Sequence, residues 1–139
     1  MPPSCPSNQQ VGYAIDTLTL KGLLALPLTQ LVAGEYGFCP APDCLTVYYS
    51  ADGTQLFGER DLRERVYQKH LTDDSVLACY CFMHTVGSIR QEIALTGSST
   101  VAEQIGAGIQ AGQCACDIRN PQGTCCLGNV RALVKQLMG

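Results

Sequence analysis

The sequence contains no tryptophan, and aromatic residues occupy only 6 % of its 139 positions. Apolar residues still make up 46 %, so the chain should fold rather than stay disordered. Charge is also scarce: 15 % of residues are charged, with 9 basic against 12 acidic side chains and a net charge of -3. An acidic chain with no basic run lacks the electrostatic footprint of a nucleic-acid or anionic-membrane binder. No apolar stretch reaches the roughly 18 residues of a membrane-spanning helix; the longest, around Leu23–Leu28, is broken by Pro27. The opening Met1-Pro2-Pro3-Ser4-Cys5 has neither the charged start nor the apolar run of a secretory signal, so a cytoplasmic protein is expected. No Ser/His/Asp or Cys/His catalytic pair can be argued. Gly106-Ala-Gly108 lacks the strand and the third glycine of a dinucleotide loop, which argues against hydrolases and nucleotide enzymes.

What the sequence has in excess is cysteine. There are nine, an odd number, and nothing directs the chain to an oxidising compartment. Clustered cysteines in a reducing setting bind metal or do redox chemistry, and a small domain short of apolar core gains stability from such a staple. Cys5, Cys39 and Cys44 lie in the first third, and Cys79, Cys81, Cys114, Cys116, Cys125 and Cys126 in the last half. The cysteine-free stretch from Gly58 to Asp74 holds much of the charge and ends in the turn formers Thr72-Asp73-Asp74-Ser75. The expectation is an α+β protein in two units: a small β-containing zinc-type domain over residues 1–72 and a helical domain over 73–139.

In the first unit, Thr19 is expected to cap a helix over Leu20–Leu26 ended by Pro27. Glu35–Phe38 and Leu45–Ser50 read as strands, Asp52-Gly53 as a hairpin turn, and Leu62–Tyr67 as a third strand or a charged helix. Between the strands, Cys39-Pro-Ala-Pro-Asp-Cys44 forms a stiff knuckle that leaves both sulfurs free to converge. In the second unit, Thr85 caps a helix ended by Gly97. Thr100 and Glu103 form a capping box for a helix closed by Gly112, and a last helix begins near Cys126. Each cysteine pair of this unit falls at a helix boundary, where an N-terminus favours negative charge.

Cys79-Tyr-Cys81 is too tight for a good disulfide but suits one metal or one cluster iron. Two more thiolates from the Cys114–Cys126 group complete four, which serves Zn-Cys₄ and a [2Fe–2S] cluster equally. Adjacent side chains diverge, so one of Cys125 and Cys126 is a ligand and the other a spare. Cys5, Cys39 and Cys44 offer three zinc ligands and leave a fourth unidentified. His70 and His84 read as incidental, with His84 the nearer to the cluster sulfurs. Tyr48, Tyr49 and Tyr80 read as packing residues.

Several motifs carry a resemblance. Cys79-Tyr-Cys81-Phe and Gly112-Gln-Cys114 resemble the BFD-like [2Fe–2S] domain of bacterioferritin-associated ferredoxins. More specifically, Phe38-Cys39-Pro-Ala-Pro-Asp-Cys44-Leu-Thr-Val-Tyr-Tyr49, together with Cys114-Ala-Cys116-Asp-Ile-Arg-Asn120-Pro-Gln-Gly-Thr-Cys125-Cys126-Leu-Gly128, resembles the N-terminal region of CopZ-type copper chaperones. In that family a small zinc domain precedes a BFD-like [2Fe–2S] domain. The resemblance implies cluster ligands Cys79, Cys81, Cys116 and Cys126, with Cys114 and Cys125 as alternates. It implies Zn(2+) on Cys5, Cys39 and Cys44. Its implied function is [2Fe–2S] electron transfer in copper homeostasis, reducing Cu(II) to Cu(I) for delivery to a carrier or transporter, with a separate redox donor. Two further readings stand beside it: a soft-metal (Cu(I)/Hg(II)) chaperone in which the spare thiols Cys114 and Cys125 hold the ion and, as the BFD resemblance suggests, a ferredoxin-like partner of a metal-storage protein. Two departures stand out: Asn8 replaces the second cysteine of the family's opening Cys-Pro-x-Cys, and no Cys-x-x-Cys of the copper-carrying type occurs.

Overall fold

The computed structural model describes residues 4–139, so the opening Met1 to Pro3 lies outside the described residues. The described residues fold as a mixed α/β structure with a four-stranded antiparallel sheet, a short two-stranded one and several helices. The larger sheet is a meander in sequence order, β1 (Tyr13–Ile15), β2 (Tyr36–Phe38), β3 (Thr46–Ser50) and β4 (Leu56–Gly58). Asp52 and Gly53 turn β3 back onto β4, with Tyr49 opposite Leu56 and Gly53 at a left-handed φ of 77°.

Alternation along β3 assigns two adjacent tyrosines to different surroundings. Tyr48 packs in the first core with Leu20, Leu23, Phe38, Val47, Phe57 and Val66. Tyr49 points into a smaller cluster with Cys5, Cys39, Ala41 and Cys44. Gly37 is required for this, because a Cβ there would sit 2.5 Å from the Tyr49 ring. Helix α1 (Thr17–Leu23) contributes Leu20 and Leu23 to the first core.

The second half begins with a short antiparallel pair, β5 (Leu77–Cys79) and β6 (His84–Thr85). Four helices follow: α2 (Val86–Thr96), α3 (Val101–Gln110), α4 (Cys116–Arg119) and α5 (Leu127–Met138). Val76, Ala78, Val86, Ile89, Val101, Ile105, Val130 and Leu133 form their shared core. Thr85 caps α2 by accepting the Ser88 N–H, and Gly97 ends it in the left-handed region at φ 83°.

The two cores are tied together by buried polar contacts. Tyr48 Oη donates to the Pro121 carbonyl at 2.5 Å, and Thr19 Oγ1 donates to the Asp117 carbonyl. Within the second core, Tyr80 Oη accepts the Tyr67 N–H at 2.9 Å, and it donates at 2.6 Å to the carbonyl of Arg65, next to Val66 of the first core. Among the described residues, no helix is long and apolar enough to cross a membrane.

Several local expectations are corrected. Helix α1 starts at Thr17 because Asp16 accepts the Leu18 N–H, while Thr19 is buried and turned toward α4. Leu62–Tyr67 forms no ladder: the Arg63 N–H goes to the Leu23 carbonyl and the Val66 N–H to Glu59 Oε2. The partner of β3 is instead Leu56–Gly58. Thr100 makes no cap bond to α3, because its hydroxyl is held by Glu92.

Candidate metal centres

All nine cysteines are free thiols, and the fold gathers eight of them into two separate groups. The first group grows from the β2–β3 knuckle and the N-terminal turn. The Cys39 N–H bonds the Val47 carbonyl, and the Cys44 N–H returns to Ala41, closing the proline loop. Cys5 is brought over by a turn in which its N–H bonds the Gln10 carbonyl and its carbonyl accepts the Gln9 N–H, with Gln9 at a positive φ of 60°. The sulfurs of Cys5, Cys39 and Cys44 all lie within 4.8 Å of one another, and all three residues are buried. Asn8 Nδ2 donates to Cys39 Sγ at 3.5 Å.

Burial raises the Cys39 pKa. At Cys44 burial opposes ionisation too, but the Thr46 N–H and the neighbouring thiols donate to its sulfur and bring the pKa below its ordinary value. Lys69, whose Nζ donates to the Ala41 carbonyl at 2.6 Å, places a positive charge beside both sulfurs. Three soft sulfur donors suit zinc by type, but a closed structural zinc site takes four ligands. Zinc here must find its fourth ligand outside the trio.

The second group is assembled from three places in the chain. Cys79 ends β5 and Cys81 lies in the tight turn to β6; Cys116 opens α4, and Cys126 is the N-cap of α5. Cys126 hydrogen-bonds both Cys79 and Cys116, and Cys116 Sγ lies 3.4 Å from Cys81 Sγ. Cys114 adds a fifth sulfur, 3.5 Å from Cys116. Cys125 stands apart, exposed, with its sulfur accepting the Leu127 N–H. The divergence of vicinal side chains thus separates Cys126 from Cys125.

Hydrogen bonds among these thiols move their pKa values in opposite directions. The Cys126 thiol donates to Cys116, holding its pKa down at about 5, and to Cys79, held at about 7. Cys126 is itself pushed up by those same bonds, and burial pushes Cys81 up to about 12. Backbone amides surround the sulfurs. Ala115 N–H donates to Cys81 at 3.1 Å, the Phe82 and Cys81 amides to Cys79, and the Cys126 amide to Cys116.

Five converging sulfurs with amide donors meet the chemical demand of a [2Fe–2S] cluster for four thiolates and N–H···S bonds. The arrangement suits a four-thiolate metal ion by the same test. Neither histidine belongs to a group: His70 pairs with Glu59 at 2.7 Å, and His84 lies in β6. Sequence reasoning missed Lys69 and the inward role of Asn8. The only sequence signal for them was the lost family cysteine at position 8.

Residues 2–63 match the zf_CopZ family, described as a zinc binding domain. Among solved structures, the X-ray structure of the Archaeoglobus fulgidus CopZ N-terminal domain superposes with a TM-score of 0.77 at 25 % sequence identity. The match covers 94 % of this chain and 96 % of that one. No curated protein matches the chain. Residues 2–63 are thus similar to a zinc binding domain of the CopZ type, set within a fold like that of the CopZ N-terminal domain.

Proposed function

We propose that this protein is a two-centre metal protein of soft-metal homeostasis. In this reading Cys79, Cys81, Cys116 and Cys126 hold a [2Fe–2S] cluster in a BFD-like second half (73–139), and Cys5, Cys39 and Cys44 hold zinc in the first (1–72). The observation that carries it is the continuous contact of those four sulfurs around helix starts, within a ring of backbone N–H donors. When bound, such a cluster supplies a one-electron donor and acceptor. The chain's own contribution is electrostatic. The amides of Cys81, Phe82, Ala115 and Cys126 each place a partial positive charge on a ligand sulfur, which favours the more negative, reduced charge state. The buried Cys79, Cys116 and Cys126 sit on the low-dielectric side of the site, and half-exposed Cys81 and Cys114 face its rim.

The role this supports is electron transfer to a copper ion, with Cu(II) as the substrate and a thiol carrier or transporter as the recipient of the soft product Cu(I). Cu(I) prefers soft sulfur ligands, so reduction fits loading onto such a carrier. Its working compartment is the cytoplasm. A second reading, a non-redox metallochaperone, draws on the CopZ resemblance and on the half-exposed extra thiol Cys114. That thiol groups with Cys81 and Cys116 rather than with Cys125.

The test is a visible spectrum of anaerobically purified protein before and after dithionite, with iron, sulfide and zinc quantified. Bands that bleach, with about two irons and two sulfides per chain as that cluster type requires, support the reading. Cys114→Ser and Cys125→Ser should keep the bands, whereas Cys116→Ser and Cys126→Ser should lose or shift them. A colourless protein that resists iron reconstitution overturns the electron-transfer role.

A further inference from the structure

We propose that the Cys5–Cys39–Cys44 site is a three-thiolate site for a soft monovalent ion of the Cu(I) class, exchanged through the cavity beside Cys44. This rests on the reading that the trio is a metal site, and departs from it on which ion the site prefers.

The first argument is the donor count. The three sulfurs lie within 4.8 Å of one another, with Cys5 and Cys44 at 3.9 Å. Among the described residues, no His, Asp or Glu joins this group. The position where a fourth donor would be expected is held by Asn8, and both ends of its amide are already committed. Oδ1 accepts the Gln10 N–H at 3.0 Å, which leaves Nδ2 facing Cys39 Sγ. An amide nitrogen has no lone pair to give a metal, so Asn8 acts as a hydrogen-bond donor to a sulfur ligand. Turning the amide over would break its bond to Gln10 and set two donors face to face.

The second argument is coordination preference. Structural zinc is held in four-ligand tetrahedral sites. A soft d¹⁰ monovalent ion is satisfied by two or three thiolates, and sulfur donors select it. Three thiolates and one such ion leave a net charge of -2, and Lys69, anchored on the Ala41 carbonyl, stands beside the site to offset part of it.

The third argument is access. A cavity of about 570 Å³ opens against this site, with Pro42, Cys44, Leu45, Lys69 and His70 among its walls. Cys44 is the trio's contribution to that wall, while Cys5 and Cys39 are sealed at 0 % and 1 % exposure. An incoming thiolate can therefore meet the ion on the Cys44 side without unfolding the knuckle. Binding oxidises nothing: as Cu–S bonds form, a zinc-loaded site breaks its Zn–S bonds and releases Zn(2+), and a site without metal releases its thiol protons to solvent.

The experiment uses the full-length, reduced chain as purified. Cu(I) is supplied as its bathocuproine disulfonate complex, released zinc is read with a chromogenic chelator, and copper K-edge absorption gives the ligand set. Wild type is compared with Asn8→Cys, Asn8→Ala and Cys39→Ser. The expected result is uptake of one Cu(I) per chain with release of zinc and a three-sulfur copper environment, absent from Cys39→Ser. Asn8→Ala, which loses the N–H···S bond to Cys39, should still take up one Cu(I) but hold it more weakly than wild type. Asn8→Cys supplies the fourth thiolate and should hold zinc more tightly by at least about tenfold. Retention of zinc under excess Cu(I), with Asn8→Cys indistinguishable from wild type, would show a complete zinc site and overturn the proposal. If wild type binds neither ion and Cys39→Ser changes nothing, the underlying reading of the trio as a metal site fails instead. Should Cys39→Ser misfold by circular dichroism, the half-buried position 8 still decides.

Discussion

Tyr48→Phe removes one oxygen from the junction between the two cores, and its effect should reverse sign with pH. The Tyr48 side chain is fully buried, and its Oη donates to the Pro121 carbonyl in the loop leading to Cys125 and Cys126. At neutral pH the loss of that bond, with the carbonyl left unpaired, should cost about 1–2 kcal/mol. Burial, with Tyr80 adding to it, raises the Tyr48 pKa far above its ordinary value of 10.0, because the phenolate cannot be solvated there. In the unfolded chain the same phenol ionises near 10. Above that pH the unfolded state binds fewer protons than the folded one, so the stability that Tyr48 contributes, complete below pH 10, is lost as pH rises. The loss is about 1.4 kcal/mol per pH unit for one group. Phenylalanine escapes this term, and every other tyrosine titrates alike in both proteins. The stability gap should therefore close near pH ~11 and then invert. Urea midpoints measured from pH 7 to 11.5 on preparations of equal metal content would show the crossing. A gap that stays constant through pH 11.5 would refute the assignment of a buried, neutral Tyr48 at this junction.

The helix caps separate in a second comparison. Thr85→Ala should lower stability by about 1 kcal/mol, since Thr85 Oγ1 accepts the Ser88 N–H. Thr100→Ala, which removes no cap bond, should cost less than half of that in the same thermal melt. Glycines give a further pair. Gly37→Ala should destabilise by about 1–3 kcal/mol and weaken metal retention at the trio, because its Cβ would collide with the buried Tyr49 ring. Gly106→Ala in α3 meets nothing within 4 Å and should stabilise by about 0.5–1 kcal/mol. Equal effects of the two in urea unfolding would contradict the packing. Last, Thr19→Val should loosen α1 from α4, seen as faster amide exchange at Asn120, whose N–H closes α4 on the Cys116 carbonyl. Unchanged exchange there would count against a mechanical tie.

Features that depend on a few neighbouring residues were legible in the sequence. The Asp52-Gly53 hairpin, the Thr85 cap and the Gly97 stop involve residues that meet across one or two turns, so their chemistry suffices. The stiffness of Cys39-Pro-Ala-Pro-Asp-Cys44 is local for the same reason. Local rules failed where a distant group captured a backbone or side-chain donor. Leu62–Tyr67 lost its ladder to Leu23 and Glu59, and Thr100 lost its cap role to Glu92.

The sequence alone determined that this chain is a cysteine-rich metal binder. It showed that its thiols fall in two territories and that one of Cys125 and Cys126 must point away from the other. Only the tertiary structure decided which sulfurs meet. Cys79, Cys116 and Cys126 come from three separate segments, and their convergence depends on the docking of α4 against α1 and of α5 onto the second core. The same holds for Asn8, turned onto Cys39, and for Lys69, brought beside a knuckle 25 residues and more away in sequence. Spacing constrains neighbours along the chain, whereas a coordination sphere is set by long-range packing, which no local pattern encodes.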